Sequence, residues 1–166
     1  MTIETIVNYL MRYGVIFIFI IVYLEQLNLP GLAAGVIMPA IGVFIATSHR
    51  SFIFILLITI AAGILGSLTL YLVGYFVGSS ILEWFNKKFP KTQKYTDKIL
   101  AYTEKYGKKA VFICRLIPAI RTIVSLISGT VREEITGFTI YSILGIAIWN
   151  LVLISSGYFT MITILK

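Results

Sequence analysis

The sequence predicts an all-α integral membrane protein. Each half should hold a broken re-entrant hairpin followed by a transmembrane helix, the two halves forming an inverted repeat. An extra N-terminal helix and an interfacial amphipathic linker helix complete it. Three observations predict this class. The 166 residues are 58% hydrophobic and 13% charged, where a soluble domain carries about 25% charged residues and lacks the interior to hide so many apolar side chains. Two apolar runs are uninterrupted and of spanning length, while two others are broken by proline and glycine. Finally, a shift of 79 positions places Pro39-Ala40-Ile41 on Pro118-Ala119-Ile120, Ile64-Leu65-Gly66 on Ile143-Leu144-Gly145, and Gly78 on Gly157, in one gapless register. Matches that share a register point to duplication.

The elements follow in order within a single membrane domain, residues 1–166. Residues 1–25 form the N-terminal helix, amphipathic at Ile3, Ile6, Val7 and Leu10, wholly apolar from Gly14 to Leu24, and ended by Glu25. Its length suits a membrane crossing. No basic start followed by a small-residue cleavage site precedes it, so it should be retained. Residues 26–48 are as apolar, but Pro30, Gly31, Gly35, Pro39 and Gly42 argue for two half-helices turning back rather than one crossing. Backbone of that kind survives at membrane depth only where protein or water satisfies it, so the hairpin should face a cavity. Residues 52–78 are the longest apolar run; Gly63, Gly66, Gly74 and Gly78 mark sites of close helix approach.

Composition changes abruptly in the linker, 79–109. Over 84–109, eight lysines against Asp97 and Glu104 leave a net +6, which makes the linker cytoplasmic by the positive-inside rule. Tyr95, Ile99, Tyr102 and Tyr106 recur at helical spacing beside the lysines, the pattern of a helix lying on an anionic lipid surface. A solvated linker helix whose lysines only fix orientation fits equally. Residues 110–131 form the second hairpin, with breaks at Pro118 and Gly129. Residues 137–165 form the last spanning helix, with Gly145, Trp149 and Gly157 as packing positions and Asn150 available for an interhelical hydrogen bond.

Charge narrows the chemistry. Fourteen Lys and Arg against seven Asp and Glu give +7, an excess that in such a chain faces anionic lipid rather than nucleic acid. Cys114 is the lone cysteine and His49 the lone histidine, which excludes an internal disulfide and leaves no metal site; no cofactor is implied. GxSxG, Walker A, HExxH and paired carboxylate clusters are absent, so the chain does not read as an enzyme. Arg115 and Arg121 would point about 120° apart on a straight helix. A break at Pro118 lets both guanidinium groups converge on one cavity, where their donor forks suit phosphate or carboxylate oxygens. In the alternative, Arg115 snorkels to the cytoplasmic surface. Glu25 borders the first hairpin as a protonation switch, a fixed counter-ion or a helix-end carboxylate in interfacial water.

These residues resemble the DedA family of bacterial membrane proteins, also described as the SNARE-associated or VTT domain family, over roughly residues 14–158. The resemblance is carried by Glu25 ahead of Pro30, by Gly63, Tyr71, Gly74 and Gly78, and above all by YGKKAVFICRLIPAIRTIVSLISG. There Gly107, Arg115, Pro118, Arg121 and Gly129 fall on the family's K-x-G, R-x-x-P-x-x-R and Gly positions; Phe138, Gly145, Trp149 and Gly157 complete the pattern. Two departures stand out: Gly35 and Ser67 occupy positions where many members carry acidic residues. The resemblance implies a multi-pass protein of the inner (cytoplasmic) membrane that transports lipid-linked phosphate, notably undecaprenyl phosphate, with proton motive force as a driving force. A polyprenyl phosphate or phospholipid is then the substrate, bound by Arg115 and Arg121, with Glu25 as proton-coupling or counter-ion residue. Phospholipid scrambling, proton-coupled export of small cations or drugs, and a non-transporting assembly role are the alternatives. A homo-oligomer is compatible with all of them.

Overall fold

The protein's computed structural model describes residues 3–27, 34–48, 50–78, 80, 87, 90–118 and 120–165. Seven helices are defined among them: α1 (Ile3–Gln26), α2 (Ala34–Ser48), α3 (Phe52–Val77), α4 (Pro90–Tyr106), α5 (Lys109–Arg115), α6 (Ile123–Thr130) and α7 (Ile135–Leu165). By packing, the chain forms two compact units, one of residues 1–65 and 147–166, the other of residues 66–146.

Helices α3 and α7 are long and apolar enough to span a membrane, with mean hydropathy 2.5 and 1.9 over their best windows, of which only 33% and 39% is buried. The core helix of a soluble protein would be mostly covered. Instead Ile53, Phe54, Leu57 and Phe76 of α3, and Ile140, Leu151, Val152 and Phe159 of α7, stand exposed, an apolar extent that only a lipid solvent accommodates. Helix α3 ends at Gly78, whose φ of 69° suits a residue without a Cβ. Nothing lies within 4 Å of the position a Cβ would take there, so Gly78 is a helix stop and not the packing position expected of it.

In the first unit, Ile18, Ile21 and Val22 of α1 pack with Ile37, Met38, Ile41 and Ile45 of α2, and with Ile55, Ala62 and Ile154. Two expectations are corrected here. Helix α1 is not one uninterrupted crossing: Gly14 takes φ 61°, ψ −140° and kinks it, a conformation closed to residues with a side chain. Helix α2 runs unbroken through Gly35 and Pro39. Pro39 lies early in that helix, so its missing N–H costs one hydrogen bond, the one to the carbonyl of Gly35 at the helix's exposed start. Pro30, the other expected break, lies outside the described residues.

Helix α2 meets α7 through backbone. A Cβ at Gly42 would lie 2.1 Å from the Ile154 carbonyl oxygen, and one at Gly157 would lie 2.0 Å from that of Pro39. The second unit repeats this arrangement with other residues: a Cβ at Gly74 would lie 2.2 Å from the Leu126 oxygen, and one at Gly129 would lie 2.0 Å from that of Tyr71. Each crossing is antiparallel and reciprocal, with carbonyl i and glycine i+3 on both helices. Such an approach allows Cα–H···O contacts and dense van der Waals packing, the usual glue where lipid removes the hydrophobic drive between helices. Gly129 thus sits inside α6 as a packing residue and breaks nothing.

Around Pro118 the chain does turn. Ile117 N–H donates to the Cys114 carbonyl, and both Ile120 and Arg121 N–H return to the Ile117 carbonyl, which carries the chain from α5 into α6. Part of the amphipathic stripe of α4 packs inward. Ile99 is fully buried against Cys114, Ile120, Ile123, Val124 and Ile127, with Leu100 and Tyr102 beside it. The apolar face of the linker helix therefore covers the α5–α6 turn, leaving Asp97, Lys98, Lys105 and Tyr106 outward.

Candidate functional site

Arg115 closes α5 and is only 2% exposed. Snorkelling is thereby ruled out within the fold, because its whole aliphatic stem is walled in. Gly145 makes the room: a Cβ there would come within 2.8 Å of Arg115 Cβ and 3.0 Å of its Cδ. Beyond the stem, Nη2 donates to Ser125 Oγ at 3.0 Å and to Ser142 Oγ at 2.9 Å, and Nη1 donates to the Arg121 carbonyl at 3.4 Å. The guanidinium carbon stands 5.6 Å from the Phe138 ring centroid. Nε–H is buried and has no hydrogen-bond partner.

Every group that holds this cation is neutral. The bonds described for Arg115 go to two hydroxyls and a carbonyl, none of them a carboxylate. A buried charge without a counter-charge is costly. Arg121 adds a second positive charge at 6% exposure, and Thr122, Ser125, Ser128 and Ser142 are buried around the same helices. The result is a site rich in hydrogen-bond donors that holds two guanidinium groups, chemistry suited to an anion. The expected turn at Pro118 is present and brings Arg115 to the backbone of Arg121; Pro118 itself is exposed.

The ends of the α5–α6 segment are tied together. Lys108 Nζ donates to Glu134 Oε2, and a Cβ at Gly137 would lie 2.9 Å from Lys108 Cδ. Tyr71 Oη donates to the Glu133 carbonyl. Burial pushes the Glu133 carboxyl above its ordinary range, partly opposed by a hydrogen bond with Ser128 and by the charge of Lys108. The hydrogen bond to Glu134 holds Lys108 more firmly protonated.

The remaining candidates fall elsewhere. Glu25, at the end of α1, is buried at 4% exposure and belongs to the first unit, as does Gly35, which is exposed. Gly66 and Ser67 are buried in α3, and Trp149 is half-buried in α7. Asn150 beside it is 1% exposed, and its amide bonds to no described residue, contrary to the interhelical bond expected. Ser125 and Ser142 were not singled out by sequence; a serine pair at 125 and 128 inside an apolar hairpin was the available signal. Among the described residues no three His, Cys, Asp or Glu side chains group to hold a metal.

The model of the VTT domain family matches residues 29–159. The chain is similar to undecaprenyl phosphate transporter A of Staphylococcus aureus, 32% identical over 158 residues that make up 93% of this chain and 77% of the relative. It is similar to a Lactococcus lactis protein named alkaline phosphatase-like protein, 27% identical over 93% of this chain and 74% of that one. Protein DedA of Escherichia coli is 29% identical over 59% of this chain and 44% of its own length. No solved structure matches.

Proposed function

The chain belongs to the VTT domain family, the DedA family of membrane proteins, and on that premise we propose that it moves a lipid-linked phosphate across the bacterial inner membrane, undecaprenyl phosphate foremost. Arg115 and Arg121 bind the headgroup while the polyprenyl tail stays in the bilayer. The observation that carries this reading is Arg115 itself: a guanidinium at 2% exposure, held only by neutral oxygens, with a donor unfilled. An arriving phosphate supplies the missing counter-charge and accepts bidentate hydrogen bonds. The name of the Staphylococcus aureus relative supports the same substrate.

The test is a proteoliposome flipping assay run with polyprenyl phosphate, a phospholipid and a small cation. Transbilayer movement of polyprenyl phosphate alone is the expected result. Movement of the phospholipid at the same rate would make the protein a scramblase, and movement of the cation alone would make it an exporter. Release of inorganic phosphate in the same vesicles would count against pure transport.

A re-entrant path for residues 110–131 accounts for the Lys108–Glu134 bridge, since its two ends then emerge on one side. With the lysine-rich linker, that side is cytoplasmic. In a Cys114→Ser background, Lys105→Cys should resist an impermeant thiol reagent in intact cells and react after permeabilisation, while Arg50→Cys reacts in both. Labelling of Lys105→Cys in intact cells would invert this topology. The two reciprocal glycine crossings support reading the halves as an inverted repeat, each hairpin packing on the spanning helix of the other half.

Glu25 is assigned the proton coupling. Glu25 is a carboxylate at 4% exposure, and Gly35 stands where the resemblance to the family implies a second acidic residue. Glu25→Gln should bind lipid phosphate as well as the parent protein or better, yet lose the acceleration that a pH gradient gives to flux. Unchanged gradient dependence would leave Glu25 a structural residue.

A further inference from the structure

Several helix hydroxyls in this protein turn their protons back onto their own helix: buried Thr59 donates to the Leu56 carbonyl, half-buried Thr130 to Leu126, and exposed Ser156 to Leu153. Ser125 and Ser142 are at 0% and 1% exposure, and the bonds described for them run the other way. Their oxygens accept the two N–H groups of one nitrogen, Nη2 of Arg115. Among the described bonds, no carbonyl of its own helix takes the proton of either hydroxyl. Arg115 Nε–H, likewise buried, is also unfilled. Two hydroxyl protons beside the guanidinium and its own Nε–H are thus available to an acceptor.

We propose that Ser125 and Ser142 are part of the anion site, as exchangeable partners of Arg115. In the empty protein their oxygens occupy the acceptor positions on Nη2; when a phosphate arrives its oxygens take those positions, and the two hydroxyls turn about their Cα–Cβ bonds to donate to it. This rests on the phosphate reading of Arg115 and extends the site from α5 onto α6 and α7. A hydroxyl can do both tasks by rotation, since its one oxygen accepts and donates. Alanine in its place leaves guanidinium donors unsatisfied in the empty state and removes a donor from the loaded one. Aspartate would supply a permanent counter-charge and compete with the ligand for the same nitrogen.

The contrast between those two substitutions is the test. The purified full-length protein in nanodiscs would be titrated with farnesyl phosphate, with inorganic phosphate and with farnesol, alongside a thermal melt of each variant. Ser125→Ala and Ser142→Ala should each raise the Kd for farnesyl phosphate on the order of tenfold, the loss of one hydrogen bond to a charged group. Ser156→Ala, on the same helix as Ser142 but bonded to its own backbone, should leave the Kd unchanged. Ser142→Asp should melt at or above the parent temperature and bind no phosphate. Equal serine dependence with inorganic phosphate would place recognition in the headgroup alone; binding of farnesyl phosphate only would add the tail. Parent-like affinity in Ser142→Ala, or retained binding in Ser142→Asp, overturns the serine assignment while the phosphate reading stands. A parent protein that binds neither phosphate probe overturns both.

Discussion

Arg121→Ala is expected to abolish flux of polyprenyl phosphate in proteoliposomes while the protein still inserts and elutes as a single species in detergent. Hydrogen bonds to a charged group are worth about 1.5–3 kcal/mol each, and a guanidinium makes two to one phosphate, so affinity should fall by a factor on the order of 100 to 10,000. Arg121→Lys should restore little, because an ammonium is a point charge without the planar fork. Arg115→Lys should fail more severely. Its stem runs along Gly145, and its nitrogens reach Ser125, Ser142 and the Arg121 carbonyl at once, a span that one ammonium cannot cover. Near-parental flux in Arg121→Ala would make that residue structural.

Gly129→Ala and Gly157→Ala are expected to be among the most disruptive single-methyl changes at the described glycines. Each new Cβ would fall 2.0 Å from a carbonyl oxygen of the facing helix, Tyr71 in one case and Pro39 in the other. Backbone cannot swing aside as a side chain can, so the helices must separate and the reciprocal contacts at Gly74 and Gly42 loosen with them. Overpacking of this kind costs about 3 kcal/mol. Gly78→Ala is the informative comparison: nothing lies within 4 Å of its Cβ position, and only its φ of 69° opposes the change, about 1 kcal/mol. Thermal unfolding in detergent should therefore rank Gly78→Ala well above the other two. A common melting temperature for all three would mean that the crossings carry little stability.

The sequence by itself determined the solvent and the two spanning helices, and it singled out two arginines. Apolar runs of that length have one solvent that tolerates them, and α3 and α7 fall where the runs lie. Arginine in such a run has few affordable placements, so Arg115 and Arg121 were legible, as was a turn at Pro118. What depends on approach between distant segments was not legible. Pro39 looks like Pro118 in sequence, yet one lies within a helix and the other in a turn. The 79-residue register pairs Pro39 and Gly42 with Pro118 and Arg121, but the crossing equivalent to theirs is made by Leu126 and Gly129. Periodicity also gave α4 an apolar face without saying what covers it, and Ile99 of that face is covered by the α5–α6 segment. Ser142 has no mark in its own neighbourhood; it joins the site because Gly145, one turn away, lets Arg115 pass. A local pattern fixes which face of a helix is apolar or charged, since that depends on neighbours within a turn or two. Which distant backbone fills that face, and which hydroxyl meets which cation, is decided by steric fit between segments that the pattern never compares.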